Sequence, residues 1–144
     1  MKEKTLNKLR VKFKVGDKVK KCQKCKKIKS VNDFYWRSNY GISHPHSPCK
    51  DCHNKDSRER NRKYRKDALM HYSNGKLECD CCGENIYEFL AIDHKKGGGS
   101  KHRKKLTETI YTFLKRKNYP KGYRVLCHNC NQSIGYYGKC PHKK

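Results

Sequence analysis

Two short stretches of this chain carry side chains that could do chemistry together: Asp93-His94, and Leu126-Cys127-His128-Asn129-Cys130-Asn131. A carboxylate and an amide oxygen are hard donors suited to a divalent cation such as Mg2+ or Mn2+. A neutral imidazole beside them can take a proton from water. Phosphodiester hydrolysis needs those parts: a base for the water, and a cation to hold a non-bridging oxygen and stabilise the leaving one. The expected roles are His94 as general base, with Asp93 and Asn131 as ligands of the catalytic cation. Asp-His alone is a common pair, and Cys-x-x-Cys-Asn alone is a zinc knuckle. Their order within one basic chain is what gives them weight.

A second chemistry is written in the cysteines. Cys22-x2-Cys25-x23-Cys49-x2-Cys52 and Cys79-x2-Cys82-x44-Cys127-x2-Cys130 are each two CxxC knuckles. A knuckle puts two sulfurs on one side of a tight turn, and two knuckles complete a tetrahedron around Zn2+. Four thiolates leave no open position for water, so both zinc sites are expected to be structural. Cys81 competes with its neighbours, and the spacing favours Cys79 and Cys82, leaving Cys81 as a bystander. Cys140 and His142 read either as a packed terminus, the preferred reading, or as ligands to a further metal.

The elements around these residues can be read coarsely. Phe89-Leu90-Ala91-Ile92 suggests a short buried strand that stops at Asp93-His94, and Gly122 to Leu126 a second strand entering Cys127. Neighbours on a strand face opposite ways, so a bend is needed to aim Asp93 and His94 into one cleft. Lys95 to Ser100, with three glycines, reads as a loop. Leu106, Ile110, Phe113 and Leu114 fall at i, i+4, i+7 and i+8, which predicts one amphipathic helix over about 104–117. Upstream, Phe34-Tyr35-Trp36 suggests a short strand and Asn39 to Pro48 a turn-rich stretch. Asn54 to Tyr72 lacks Gly and Pro and predicts a basic helix with a thin apolar stripe, closed by Ser73-Asn74-Gly75. That helix is either a solvated linker or laid along a phosphate backbone. The organisation expected is a basic arm (1–18), a four-cysteine zinc-finger module (19–53), a basic helix or linker (54–73) and a catalytic domain (74–144).

Composition agrees with stapling. Hydrophobic residues are 33% of the 144 and charged residues 35%, too little apolar material for a large core. Lys and Arg number 37 against 13 Asp and Glu, a formal +24. The excess is +15 in the first 73 residues (22 basic, 7 acidic) and +9 in the rest (15 and 6), so the charge is not one tail. A polyanion is the expected partner, with nucleic acid foremost and duplex DNA as the leading form. No apolar run reaches the ~20 residues of a membrane span, and Met1 to Val15 lacks the apolar stretch of a secretory signal. A reducing, cytoplasmic setting without membrane attachment is the expectation, in which paired cysteines are read as metal ligands before disulfides.

The segment from Cys79 to Gly138 resembles the HNH, or His-Me finger, endonucleases. Its matching elements are Cys79-x2-Cys82, Ile92-Asp93-His94 and Leu126-Cys127-x2-Cys130-Asn131. It is most similar to the zinc-containing branch that includes phage recombination (junction-resolving) endonucleases and small phage HNH proteins. The cytoplasm of a phage-infected host is thereby among the expected settings. The resemblance implies a ββα-metal fold, Asp93 as first metal ligand, His94 as general base, Asn131 as second metal ligand, and a structural zinc on Cys79, Cys82, Cys127 and Cys130. Junction-resolving relatives carry another His where this chain has Lys96. His102, with Arg103, is the expected replacement as a phosphate contact. The loop and helix between the strands are longer than in the smallest members, so junction resolution is not carried over.

The module from Cys22 to Cys52 resembles the small four-cysteine fingers that accompany such nucleases. Arg37 and Lys50 are expected nucleic-acid contacts there, with Arg58, Arg62 and Arg65 on the following helix and Lys95 and Lys96 near the base. Tyr35, Trp36 and Tyr40 are candidates for stacking on bases. The competing reading makes Phe34 and Trp36 simply the module's minimal core. The fold class expected is thus a small α+β zinc-stapled protein: a four-cysteine finger plus helix, then a ββα-metal (HNH) domain with structural zinc. The function expected is a metal-dependent DNA endonuclease. The alternatives are a non-catalytic zinc-finger nucleic-acid binder and an RNA-directed nuclease. Both a monomer that nicks and a homodimer that cuts two strands fit the sequence.

Overall fold

The computed structural model describes residues 18–39 and 42–142. The basic arm, up to residue 17, and Tyr40 lie outside the described residues. The chain divides into two compact units, one ending at Arg58 and one starting at Glu59.

The first unit is built around a CxxC knuckle. Strands β1 (Val19–Lys21) and β2 (Ile28–Ser30) pair antiparallel and hold the Cys22-to-Cys25 turn between them. Lys26 closes that turn with φ 62°. Its N–H donates to the Cys22 carbonyl at 3.0 Å, and the Cys22 N–H donates to Lys27 O at 2.8 Å. Next come β3 (Phe34–Asn39) and β4 (Ile42–Cys49), also antiparallel. The stretch expected as turns before Cys49 is therefore a strand, despite Pro45 and Pro48. In a two-stranded sheet both strands are edges, so a proline's missing N–H can face away from the ladder. Two extra β4 residues lie opposite the step from Phe34 to Tyr35, whose partners are Cys49 and His46. Phe34 is fully buried with Cys22 and Cys49, whereas Trp36 is 47% exposed. Of the two aromatics proposed as a minimal core, only Phe34 serves.

Helix α1 (Lys50–Tyr72) follows Cys49 directly and contributes to both units. It begins four residues earlier than the sequence predicts, because Cys49 and Cys52 form a knuckle at its first turn. Its last turns bury Ala68 and Leu69.

The second unit has a two-stranded antiparallel sheet, β5 (Leu90–His94) against β6 (Tyr123–Cys127), then helix α4 (His128–Tyr137). Between the strands lie α2 (Gly99–Lys105) and α3 (Ile110–Arg116). The single helix predicted over 104–117 is thus broken. Leu106 is extended (φ −82°, ψ 131°), and Thr109 caps α3, its Oγ1 accepting from the Thr112 N–H at 3.2 Å. A capping threonine is a strong start signal, here inside an unbroken apolar periodicity. Helix α4 is capped by Cys127 Sγ, which accepts from the Cys130 N–H at 3.4 Å. The core gathers Leu69, Leu90, Val125 and Leu126 with Cys79, Cys127, Cys130 and Cys140. The expectation of a small α+β fold with cysteine clusters that could hold metal ions is met. None of the described helices is long and apolar enough to cross a membrane.

Candidate functional site

Both four-cysteine sets converge. The sulfurs of Cys22, Cys25, Cys49 and Cys52 lie within 4.8 Å of one another, as do those of Cys79, Cys82, Cys127 and Cys130. A tetrahedron with Zn–S bonds of about 2.3 Å has edges of roughly 3.8 Å. One pair from each set matches: Cys25 Sγ to Cys49 Sγ is 4.0 Å and Cys82 Sγ to Cys127 Sγ is 3.7 Å. All of these cysteines are free thiols. Burial pushes the Cys22 thiol up, but the backbone N–H groups of Cys49, Cys25 and Lys24 outweigh it and hold it at about 6. In the same way burial raises Cys79, while the N–H groups of Cys127, Cys82 and Cys81 bring it to about 7. Donors aimed at a sulfur favour the thiolate, the form that binds metal. Two four-cysteine clusters that could hold zinc are therefore present. Among the described residues of the first unit Phe34 is the largest fully buried apolar side chain, worth about 1.5–3 kcal/mol on burial. A structural zinc contributes roughly 10–16 kcal/mol, so metal rather than apolar packing would hold this unit together.

A cleft of about 560 Å3 opens beside β5. Asp93, His94, Asn131, His102 and Arg103 all line it, along with Lys95, Lys101 and Arg124. The bend that two strand neighbours require comes just after them. Gly97 N–H donates to His94 O at 2.9 Å, and Gly97 and Gly98 take φ of 70° and 82°. Such angles cost glycine little and other residues more. Gly99 is small for another reason: a Cβ there would stand 3.1 Å from His94 Nδ1. This turn folds α2 back so that His102 meets His94. Asn131 reaches the cleft from α4, one residue past Cys130.

His94 is half-buried and held on two sides. Its Nε2 is 2.8 Å from His102 Nδ1, and its ring packs on Tyr123 at 4.7 Å. His102 in turn packs edge-on against Phe113, 4.7 Å between centroids. Burial depresses the His94 pKa below 6.5, and the neighbouring His102 and Arg103 add to this, while Asp93 opposes it. One proton serves the His94–His102 bond. With it on His94 Nε2, the His94 Nδ1 lone pair is free to act as a base. His102, expected as a phosphate contact, has its Nδ1 on His94 and its ring packed against Phe113.

Asp93 is also bound. Arg124 lies opposite it in the β5–β6 register, and Arg124 Nε donates to Asp93 Oδ2 at 2.8 Å. That leaves Oδ1 as the carboxylate oxygen available to a cation, with the Asn131 amide oxygen as a second hard donor on the same cleft. This donor set fits magnesium or manganese. Sequence reasoning misses Arg124. Only the β5–β6 register, which pairs Leu90 with Cys127, places Arg124 opposite Asp93.

The remaining basic residues differ in exposure. Arg37, Lys50, Arg58, Arg62, Lys95, Lys96 and Arg103 are exposed or partly so, and the Lys50 ammonium sits 5.7 Å from the Tyr35 ring. Arg65, expected among the nucleic-acid contacts, is instead turned inward. Its Nη2 donates to the carbonyls of Tyr87, Glu88 and Leu90 at 3.1, 3.1 and 2.9 Å, and its guanidinium lies 4.5 Å from the Tyr87 ring. Tyr35 is 42% exposed, with its hydroxyl donating to Asn54 Oδ1 at 3.0 Å. Compared with known family models, curated proteins and solved structures, the chain matches none.

Proposed function

We propose that the chain is a metal-dependent endonuclease of the HNH kind that hydrolyses phosphodiester bonds in DNA. One observation carries the reading: a carboxylate, a half-buried imidazole and an amide oxygen, drawn from β5 and α4, line the same basic cleft. The strand–strand–helix order of β5, β6 and α4, with a four-cysteine cluster beside it, supports it.

His94, neutral through its depressed pKa, takes the proton of the attacking water at Nδ1. With the shared proton on His94 Nε2, His102 Nδ1 accepts it, and this tautomer leaves His94 Nδ1 unprotonated. Asp93 Oδ1 and the Asn131 side-chain oxygen would hold a magnesium or manganese ion. When bound, that ion supplies the positive charge that offsets the charge gathering on the phosphate and leaving oxygens. Arg103, Lys95 and Lys101 neutralise flanking phosphates. Tying Asp93 to Arg124 restricts the carboxylate to one orientation before any ligand arrives.

The test is nicking of supercoiled plasmid by purified protein with and without magnesium. Wild type is expected to nick only with the metal, and His94→Ala to lose about 10²–10⁴-fold while still binding DNA. Equal rates for wild type and His94→Ala would overturn the assignment. The ion pair of Asp93 with Arg124 also fits a second reading, in which the pair is structural and the chain is a non-catalytic zinc-bearing nucleic-acid binder. DNA binding without cleavage across several divalent metals would favour that reading, and preferential cutting of matched RNA would move the substrate to RNA.

A further inference from the structure

Cys81, Cys140 and His142 are ligand-type side chains outside both four-cysteine sets. Helix α4 ends at Gly138, which takes φ 73° and donates its N–H to Ile134 O at 3.0 Å. Ser133 Oγ donates to Lys139 O at 3.1 Å and fixes the reversal. The returning chain carries Cys140 to 3% exposure within the core. There the ligand atoms of Cys81, Cys130, Cys140 and His142 all come within 4.8 Å of one another. Cys130 belongs to this set and to the set with Cys79, Cys82 and Cys127.

The distances suit a metal better than packing alone. His142 Nδ1 is 3.4 Å from Cys130 Sγ and 3.3 Å from Cys140 Sγ. With Zn–S of about 2.3 Å and Zn–N of about 2.0 Å, a tetrahedral edge from sulfur to nitrogen is roughly 3.5 Å. A nitrogen touching two sulfurs at that spacing, with a third sulfur close by, is the donor arrangement of a Cys3His zinc site.

We propose that the second unit binds two zinc ions that share the Cys130 thiolate as a bridge. Cys79, Cys82 and Cys127 complete the first tetrahedron, and Cys81, Cys140 and His142 complete the second. The charge count permits the pair. One ion on four thiolates carries −2. Adding the thiolates of Cys81 and Cys140 together with a second dication leaves it at −2, so the second ion brings no net charge into the core, and two thiol protons leave to solvent. A thiolate sulfur retains lone pairs after binding one ion, and soft sulfur donors suit zinc. The arrangement also explains the adjacent Cys81 and Cys82: consecutive side chains that serve different ions. Cys130 is then fixed from two sides, one residue before Asn131. The shared thiolate does not depend on the cleft being catalytic.

Two measurements on the unaltered full chain test it. Elemental analysis of protein purified with zinc should find three zinc ions per chain, one in the first unit and two in the second. After exchange with cadmium-113, two of the three resonances should be scalar-coupled to each other through the shared sulfur. One of that pair should be shifted as a four-sulfur site and the other as a site of three sulfurs and one nitrogen. In the doubly substituted Cys140→Ser/His142→Ala chain the count should fall to two and the coupling should vanish. Two ions in the wild type, or three without coupling between any pair, would overturn the shared-thiolate site. The wild-type measurements decide the matter even if the variant fails to fold.

Discussion

The bond between His94 and His102 separates two roles for His102. If His102 contacted phosphate, removing it would weaken substrate binding. If it positions the base, removing it would lower turnover. Its Nδ1 lies 2.8 Å from His94 Nε2, and its ring is fixed against Phe113. His102→Ala removes that hydrogen bond and leaves His94 free to rotate and to change tautomer. A hydrogen bond of this kind is worth about 0.5–1.5 kcal/mol, and about 1.4 kcal/mol is tenfold in rate. The expected loss in kcat is therefore roughly two- to tenfold, well below the 10²–10⁴-fold expected for His94→Ala. KM should stay within about twofold. His102→Asn, whose amide can meet the same nitrogen, should recover part of the loss. Initial nicking rates over a range of plasmid concentrations at fixed magnesium and salt provide the measurement. An unchanged kcat with a raised KM and a shallower salt dependence would refute the positioning argument and restore His102 as a phosphate contact.

Three other outcomes follow from the same geometry. Because burial and the charges of His102 and Arg103 disfavour a proton on His94, the base is in its working form down to lower pH than an ordinary histidine. The nicking rate should rise with pH and level off with a midpoint below 6.5, and a midpoint above 6.5 that disappears in His94→Ala would contradict this. Arg65→Ala strips three backbone carbonyls of one donor and should cost about 1.5–3 kcal/mol in urea melts of the zinc-loaded protein. The exposed Arg62→Ala should change stability by no more than about 0.5 kcal/mol but weaken DNA binding and its salt slope, so equal melts for the two variants would argue against the inward role of Arg65. Removing zinc with a strong chelator should abolish the folded circular-dichroism signal and DNA cutting together, with zinc but not magnesium restoring both; a chain that stays folded without zinc would remove the stapling argument.

Much of the second unit is legible along the chain. The strands on either side of the cleft, the knuckles and Asn131 just past Cys130 follow from local signals: β-branched and apolar runs, CxxC spacing, and a glycine loop after His94. Those signals work because each acts over a few residues. The break between α2 and α3 is legible too, in Thr109, but an apolar periodicity running across it masks the cap. Strand β4 is hidden because two prolines argue against a strand until it is known that the strand has only one partner.

The chemistry on offer is written in the covalent chain: which side chains can bind metal, which can take a proton, and that the expected partner is anionic. Ligand type and knuckle spacing need no fold to be read. Which groups meet is a property of the folded molecule alone. Register set Arg124 against Asp93, the glycine turn brought His102 to His94, and the reversal at Gly138 returned Cys140 and His142 to Cys130. Arg65 reads as one more basic residue until the chain from Tyr87 to Leu90 lies beside it with carbonyls that need a donor. Such meetings depend on how separate segments pack in space, and residue spacing along one segment carries no record of that.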